Sequence, residues 1–431
     1  MTETANGRRV AVVAGCRTPF CRAGSDLKDF TAVDLARHAV LELLHRANLS
    51  GPEVDEMIFG QVVASPLAPN LAREVSLLPQ FPRSIPAVTV NRACASANTA
   101  IAQARDQIAL GHARVVIAGG AESLSDIPVL HSRRLADTLV GLSRSKSIRE
   151  RAVLLSRVRP RDLVPVAPAI AEPSTGETMG QSAEKMAKEN RITRAAQDAF
   201  ALRSHQRALA GTEDGRLLAE IAPVFRGAAA DPVARDNGIR ADTTLEKLAA
   251  LKPVFDRRYG TVTAGNSSPL TDGGGAVLLM SEDAAGALGY RALAYIRSYA
   301  VAALDPGEQL LMGPAYAVPK ALDRAGIQWR DLGLVEMHEA FAAQALSNIQ
   351  AFESREWAVR HLGRSEAVGQ VDPARLNVMG GSIAIGHPFG ATGARLTLTL
   401  ANEMTRRDVQ WGLISVCAQG GMGFAMVLER R

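Results

Sequence analysis

Val88-Thr-Val-Asn-Arg-Ala-Cys94-Ala-Ser-Ala-Asn-Thr-Ala-Ile-Ala-Gln-Ala-Arg-Asp-Gln-Ile-Ala-Leu-Gly-His-Ala-Arg-Val-Val-Ile-Ala-Gly-Gly120 carries three elements in succession. Ala87–Val90 is a β-rich run, residues 95–110 form a helix of small side chains closed by Gly111, and 114–118 is a buried apolar strand. Strand, helix and strand in this order point to a layered α/β fold. The C-terminal region repeats the pattern: Leu376-Asn-Val378, a Gly/His turn, a helix, then a strand and glycine turn over 412–421. The repetition predicts two related α/β halves packed together.

The flanking segments fit that scheme. Residues 10–14 and 57–63 read as strands. Between them, Leu35, Ala36, Ala39, Val40, Leu43, Leu44 and Ala47 recur at helical spacing until Ser50-Gly51-Pro52. From 288 the alternation returns: a strand over 293–299, a helix over 317–325, a strand over 334–337 and a helix over 339–352. Residues 128–252 break the rhythm with a basic stretch, four prolines (Pro160, Pro165, Pro168, Pro173) and helices over 177–189 and 194–210, the second capped by Thr193 and ended by Gly211. Strand character resumes at 276–280. The expected organisation is therefore an N-terminal half (1–127 and 253–287), an inserted loop domain (128–252) and a C-terminal half (288–431).

At roughly 100–200 residues per domain, 431 residues allow two to four domains. Cys16, Cys21, Cys94 and Cys417 form no CxxC pair, and the eight histidines form no HExxH or HxxxH pair. No metal site is expected, and a reducing compartment is. No signal-peptide core, peroxisomal Ser-Lys-Leu address or run of 18 apolar residues is present, so the expected location is cytoplasmic. Nine Lys/Arg against two acids lie between His131 and Arg161, so the basic excess is local. A local excess is weak ground for nucleic-acid binding, and no nucleic-acid partner is expected.

Four residues could carry chemistry. Cys94 sits between a strand and a helix start, where unpaired amides and the helix dipole favour a thiolate, although a free cysteine often only packs. His387 lies in Asn377-Val-Met-Gly-Gly-Ser-Ile-Ala-Ile-Gly-His-Pro-Phe-Gly-Ala-Thr-Gly393, placed to act as base on a thiol. That stretch fits neither GxxxxGK[ST] nor GxGxxG. His338 ends one strand, and Cys417 ends another before a glycine-rich turn. Strand C-termini are where sites assemble in α/β sheets.

Together these segments resemble the thiolase family. Arg17-Thr-Pro-Phe20, the Cys94 turn, Gly119-Gly-Ala-Glu-Ser123, Gly260-Thr-Val-Thr-Ala-Gly-Asn-Ser-Ser268, His338-Glu-Ala-Phe341, Gly386-His-Pro388, Gly390-Ala-Thr-Gly393 and Cys417 with Gly420-Gly-Met-Gly423 match in order. The resemblance implies a thiolase fold: two βαβαβαββ halves in αβαβα layers, with a loop domain inserted into the first. Most thiolases have Asn where His338 stands. The His variant is similar to the β subunits of fatty-acid oxidation trifunctional complexes, as are 131–168 and Asp236-Asn-Gly-Ile-Arg240.

The resemblance assigns Cys94 as acyl-accepting nucleophile, His387 as the base that activates it, Cys417 as general acid/base and His338 as an oxyanion-hole donor. The backbone N–H groups of Cys94 and Gln419 would form a second oxyanion hole. Gln419 replaces a family glycine, and its side chain is expected to restrict that backbone. Met179, Ser268 and Ala340 match the pantetheine channel. The implied reaction is CoA-dependent cleavage of 3-oxoacyl-CoA to acetyl-CoA and a shortened acyl-CoA in fatty-acid β-oxidation, with coenzyme A as co-substrate and no permanently bound cofactor. A short-chain acetyl-CoA acetyltransferase making or cleaving acetoacetyl-CoA uses the same residues. A β-ketoacyl synthase pairs its Cys with two histidines and does not need Cys417. A non-catalytic acyl-CoA or lipid carrier would lose reactive residues. The implied partners are a homodimer or dimer of dimers and a hydratase/dehydrogenase subunit. For the basic 131–161 stretch three readings stand: solvated amphipathic helices, attraction of the CoA nucleotide, or docking on an anionic membrane or partner subunit.

Overall fold

The computed structural model describes residues 8–166, 170–227 and 231–431. Ten strands are present among them: β1 (Val10–Arg17), β2 (Cys21–Arg22), β3 (Glu56–Gly60), β4 (Ala87–Val90), β5 (Val115–Glu122), β6 (Thr271–Ser281), β7 (Ala294–Ala303), β8 (Leu334–Met337), β9 (Trp411–Ala418) and β10 (Met422–Glu429). The sheet order is β4-β3-β5-β6-β1-β7-β10-β9-β8, with the short β2 on β6. Pro168 of the proline-rich passage lies outside the described residues.

The two halves share one topology. In the first, β3 runs parallel to β4 and β5, while β6 is antiparallel to β5 and β1. In the second, β8 runs parallel to β9, and β10 is antiparallel to β9 and β7. The opening strands of the halves, β1 and β7, meet antiparallel at Ala11–Tyr295 and Val12–Ala294 and join them into one sheet. The counterpart of β4 is reduced to a parallel bridge between Val335 and Leu376. Asn377 has a left-handed backbone (φ 47°), so the strand stops there. Its carboxamide takes over the ladder, accepting from the Met337 N–H (2.7 Å) and donating to the Met337 carbonyl (2.9 Å).

Helices Ser96–Ala109 and Thr392–Arg407 pack on each other and on strands of both halves, forming the middle layer. Small residues let them approach closely. A Cβ on Gly393 would stand 2.3 Å from Asn98 Oδ1 and 2.6 Å from its backbone nitrogen. Helix Ala32–Ala47, opened by a Thr31–Asp34 capping box, covers the other face of β5, β6 and β1. Helix Gly313–Ala325 covers β7, β9 and β10. With the two half-sheets continuous at β1 and β7, the layers run helix, half-sheet, helix, half-sheet, helix around apolar cores.

Between β5 and β6 lie five helices among the described residues: Arg133–Arg144, Ile148–Leu155, Met179–Glu189, Arg194–Glu213 and Leu245–Ala249. Several boundaries differ from expectation, three of them with a visible cause. The strand begun at Glu56 stops at Gly60 rather than 63, because the Val62 and Val63 amides turn to the buried Glu122 carboxylate (3.0 Å each). The helix expected from 339 begins at Ala342, because the Glu339 carboxylate is held by Ser204, Asn377 and the Ile383 amide. Gly211 does not end its helix, which runs to Glu213. The missing side chain makes room for Met379, whose Cε would be 2.4 Å from a Cβ there.

Candidate active site

The Cys94 turn forms where β4 ends and the small-residue helix begins. Ala93 is held at φ 44°, a left-handed conformation costly for a residue with a Cβ and typical of functional turns. The fold enforces it: the Asn91 carboxamide accepts from the Ala93 N–H (3.0 Å), and Ser96 accepts from Arg92 and donates to the Ala93 carbonyl. Cys94 is therefore offered at the helix N-terminus, half-buried and facing a cavity of about 510 Å³. Burial pushes its thiol up to about 12, while the N–H groups of Gln419 and of Cys94 itself pull the other way. The resting thiol is neutral, and two backbone donors already face the sulfur.

His387 arrives from the opposite half. Gly386, at φ 112°, makes the turn that presents it, and Thr271 Oγ1 accepts from the His387 N–H (3.0 Å). A Cβ on Gly386 would lie 2.7 Å from that same Oγ1. With the Thr392 Oγ1 proton placed on the Pro388 carbonyl (3.1 Å), we assign its contact with His387 Nδ1 (2.6 Å) as one in which the ring donates. Nε2 is then the unprotonated nitrogen, and it has no partner among the described residues. Desolvation and the nearby Arg395 charge lower His387 to about 3, which keeps it neutral.

His338 has the opposite tautomer. Ser382 Oγ accepts from an N–H of Arg395 (3.3 Å), and its hydroxyl has no other partner among the described residues than His338 Nδ1 (2.9 Å), so we assign the hydroxyl as donor to this ring. The proton of this ring therefore sits on Nε2, also without a partner among the described residues. Burial, His387 and Arg395 hold His338 well below its ordinary value. The two rings lie 4.1 Å apart between centroids. Cys94 Sγ and one ring nitrogen of each histidine fall within 4.8 Å of one another. Three such atoms could begin a zinc sphere, but one nitrogen that accepts, one that donates and a neutral thiol form a set suited to proton transfer.

Cys417, next to the end of β9, is fully buried, yet it lines the same cavity. Burial and the neighbouring Cys94 push its thiol well above the ordinary value. Met179, Ser268, Ala340 and Gln419 line that cavity as well. His338 is not among its lining residues; it is fully buried beside His387. The left-handed residues of the Cys417 turn are Gly420 (φ 85°) and Gly421 (φ 68°), and Gln419 is outside that region. The expected backbone restriction at Gln419 is therefore absent, because a side chain fits where it stands.

Sequence reasoning missed a second cavity of about 390 Å³, sharing Ser267 and Ser268 with the first and lined by Arg22, His205, Arg240 and Lys247. These bases come from separate segments, and of them only Arg240 lies in a stretch the resemblance marked, Asp236-Asn-Gly-Ile-Arg240. It also missed Glu122, which ties both halves of the site together through the Val62, Val63 and Gly390 amides. Helices Arg133–Arg144 and Ile148–Leu155 line neither cavity.

Comparison with known proteins places this geometry in a family. Residues 10–283 match the model of the thiolase N-terminal domain, and 290–430 that of the thiolase C-terminal domain. The chain is similar to 3-ketoacyl-CoA thiolases of Photorhabdus laumondii and Colwellia psychrerythraea, each 49% identical over 426 residues, covering 99% of this chain and 98% of the relative. Among solved structures it is similar to the Bacillus anthracis acetyl-CoA acetyltransferase (TM-score 0.85) and human mitochondrial 3-ketoacyl-CoA thiolase (TM-score 0.83). Both are 34% identical, with 99% of this chain and 100% of the other covered.

Proposed function

The chain belongs to the thiolase family, and from that membership we propose that it is a 3-ketoacyl-CoA thiolase of fatty-acid β-oxidation. Its relatives carry that name at nearly half identity over the full length. The observation that carries the reading is the meeting of Cys94 Sγ with a ring nitrogen of His387 and one of His338, at a cavity that Cys94, His387 and Cys417 line.

His387 Nε2 takes the Cys94 proton, and the thiolate attacks C3 of a 3-oxoacyl-CoA. The Gln419 and Cys94 amides hold the resulting oxyanion. As the C2–C3 bond breaks, its electron pair passes to an acetyl-CoA enolate, whose oxygen receives hydrogen bonds from His338 Nε2 and the now protonated His387. Cys417 gives the enolate carbon its proton. The Cys417 thiolate then deprotonates an incoming CoA, whose sulfur attacks the acyl-enzyme. Shortened acyl-CoA leaves, and Cys94 recovers its proton from His387. CoA serves as co-substrate, and no step calls for a metal or a resident cofactor.

Met179, Ser268 and Ala340 flank the pantetheine arm, and the adjoining Arg22, Arg240 and Lys247 suit the phosphates of the nucleotide. The N-terminal half comprises 1–127 and 253–287, the loop domain 128–252 and the C-terminal half 288–431. The working form is a homodimer or dimer of dimers, with a hydratase/dehydrogenase subunit as partner, in the cytoplasm; among the described residues no helix is long and apolar enough to cross a membrane. Ile148, Leu155, Val153 and Leu139 are exposed on the basic helices, which favours docking on an anionic membrane over a purely solvated pair.

Mixing the protein with 3-oxoacyl-CoA in the absence of CoA and digesting it tests the assignment. The reading expects the acyl group as a mass increment on the Cys94 peptide, discharged on adding CoA. Label on any other residue, or none, overturns it.

A further inference from the structure

Gln419 stands where the family resemblance expects glycine, and its side chain is occupied. Its Nε2 donates to the Ala171 carbonyl (2.7 Å), while the next residue, Gly420, donates its N–H to Glu172 Oε2 (3.0 Å). The same turn thus grips two consecutive residues of a segment 248 positions away in the chain. That segment is a tight loop. Glu172 donates its N–H to the Glu177 carbonyl (2.8 Å) and its own carbonyl accepts from the Gly176 N–H (2.7 Å), its other carboxylate oxygen accepts from Ser174, and Ala171 bridges Thr178. Ile170, Thr178 and Met179, immediately around the clamp, present a wall to the cavity that holds Cys94.

We propose that Gln419, together with Glu172, is a positioning residue that locks the 170–179 wall of the pantetheine passage to the Cys417 turn, so that seating the CoA arm fixes the distance between the bound thioester and the sulfur of Cys94. Two properties make the turn suited to this. The backbone N–H of Gln419 faces Cys94, and its side chain faces the wall, so one residue spans the reacting end and the carrier end of the substrate. A glycine could supply the amide but not the link. Precise seating matters because a small misplacement of reacting atoms forfeits much of the advantage of proximity.

The inference rests on the thiolase reading, and a truncated thioester separates the two. Cleavage of acetoacetyl-CoA is compared with cleavage of the acetoacetyl thioester of N-acetylcysteamine, which carries the same reacting atoms but lacks most of the pantetheine and all of the nucleotide. A change in the oxyanion hole alters both substrates alike, whereas a loosened wall is felt only by the longer carrier. For Gln419→Ala the preference in kcat/KM for the CoA thioester over the cysteamine thioester is expected to fall about tenfold, chiefly through KM. Glu172→Ala is expected to lower it in the same way. Glu172→Gln, which keeps an oxygen for the Gly420 amide, is expected to restore most of the preference. Equal losses on both thioesters, or an unchanged preference in both alanine variants, would overturn the proposal. If the parent protein cleaves neither thioester, the thiolase reading itself falls. Should Gln419→Ala not fold, the two Glu172 variants decide the matter alone, because neither alters the turn that faces Cys94.

Discussion

Two histidines of one site carry opposite tautomers, and the hydroxyls behind them set the difference. With the Thr392 proton on the Pro388 carbonyl, Thr392 is assigned to accept from His387, and Ser382 to donate to His338. Cys94→Ala and His387→Ala are therefore expected to abolish thiolysis. His338→Ala should leave a measurable rate lowered by about 10²–10³, the usual cost of one oxyanion donor. Steady-state assay with acetoacetyl-CoA checks this; equal loss in all three would contradict separate roles. Burial also makes the site pH-sensitive. His387 is lowered to about 3 when folded, against its ordinary value of 6.5. Below about 6.5 the unfolded chain takes up a proton that the folded chain refuses, so stability present at neutral pH is lost as pH falls toward 3. The fall in Tm between pH 6.5 and 5 should be shallower in His387→Gln than in the parent by calorimetry. An identical slope would contradict the depressed histidine. At this scale the sequence was informative: Cys94, His338, His387 and Cys417 all stand at strand ends or glycine turns. The tautomers were not legible, because Thr392 and Ser382 are ordinary residues until the fold places them.

Between elements, the middle layer brings the reacting groups together. Helices Ser96–Ala109 and Thr392–Arg407 begin beside Cys94 and His387, and Gly393 lies against Asn98 where they touch. Backbone blocks any relief there, so Gly393→Ala is expected to destabilise the protein by about 1–3 kcal/mol in urea unfolding, as overpacking does. A change under about 0.5 kcal/mol, the usual size of a neutral surface change, would mean the contact is looser than described. The basic pair Arg133–Arg144 and Ile148–Leu155 tests differently. Leu135 is buried, but Ile148 is 86% exposed, so the apolar faces read from sequence do not meet a core. Flotation with anionic vesicles at low salt is expected to carry the protein, and salt should release it. No flotation would remove membrane docking. Helical periodicity revealed these faces but could not say what covers them. Other boundaries escaped for local reasons: Glu122 ends β3 and Glu339 delays a helix, each a buried carboxylate capturing amides from far along the chain.

Over the whole molecule, duplication explains why so much could be read. Two halves of one strand order, joined at β1 and β7, leave two equivalent helix starts facing each other, one carrying Cys94 and the other following the His387 turn. The repeated strand–turn–helix pattern exposed that plan. The basic second cavity was hidden because Arg22, Arg240 and Lys247 converge only after 123–270 folds over the sheet. The two cavities share Ser267 and Ser268, which sets the cationic one beside the one lined by Cys94 and Cys417. The most direct measurement is CoA-dependent loss of the Mg²⁺-enolate absorbance of acetoacetyl-CoA and of 3-oxohexadecanoyl-CoA, with Cys94→Ala beside the parent. Rapid loss with the long chain, absent in the variant, is the predicted result. Loss with acetoacetyl-CoA alone would make the protein a short-chain acetyltransferase, and no loss with either, or full activity in Cys94→Ala, would contradict the assignment of a thiolase.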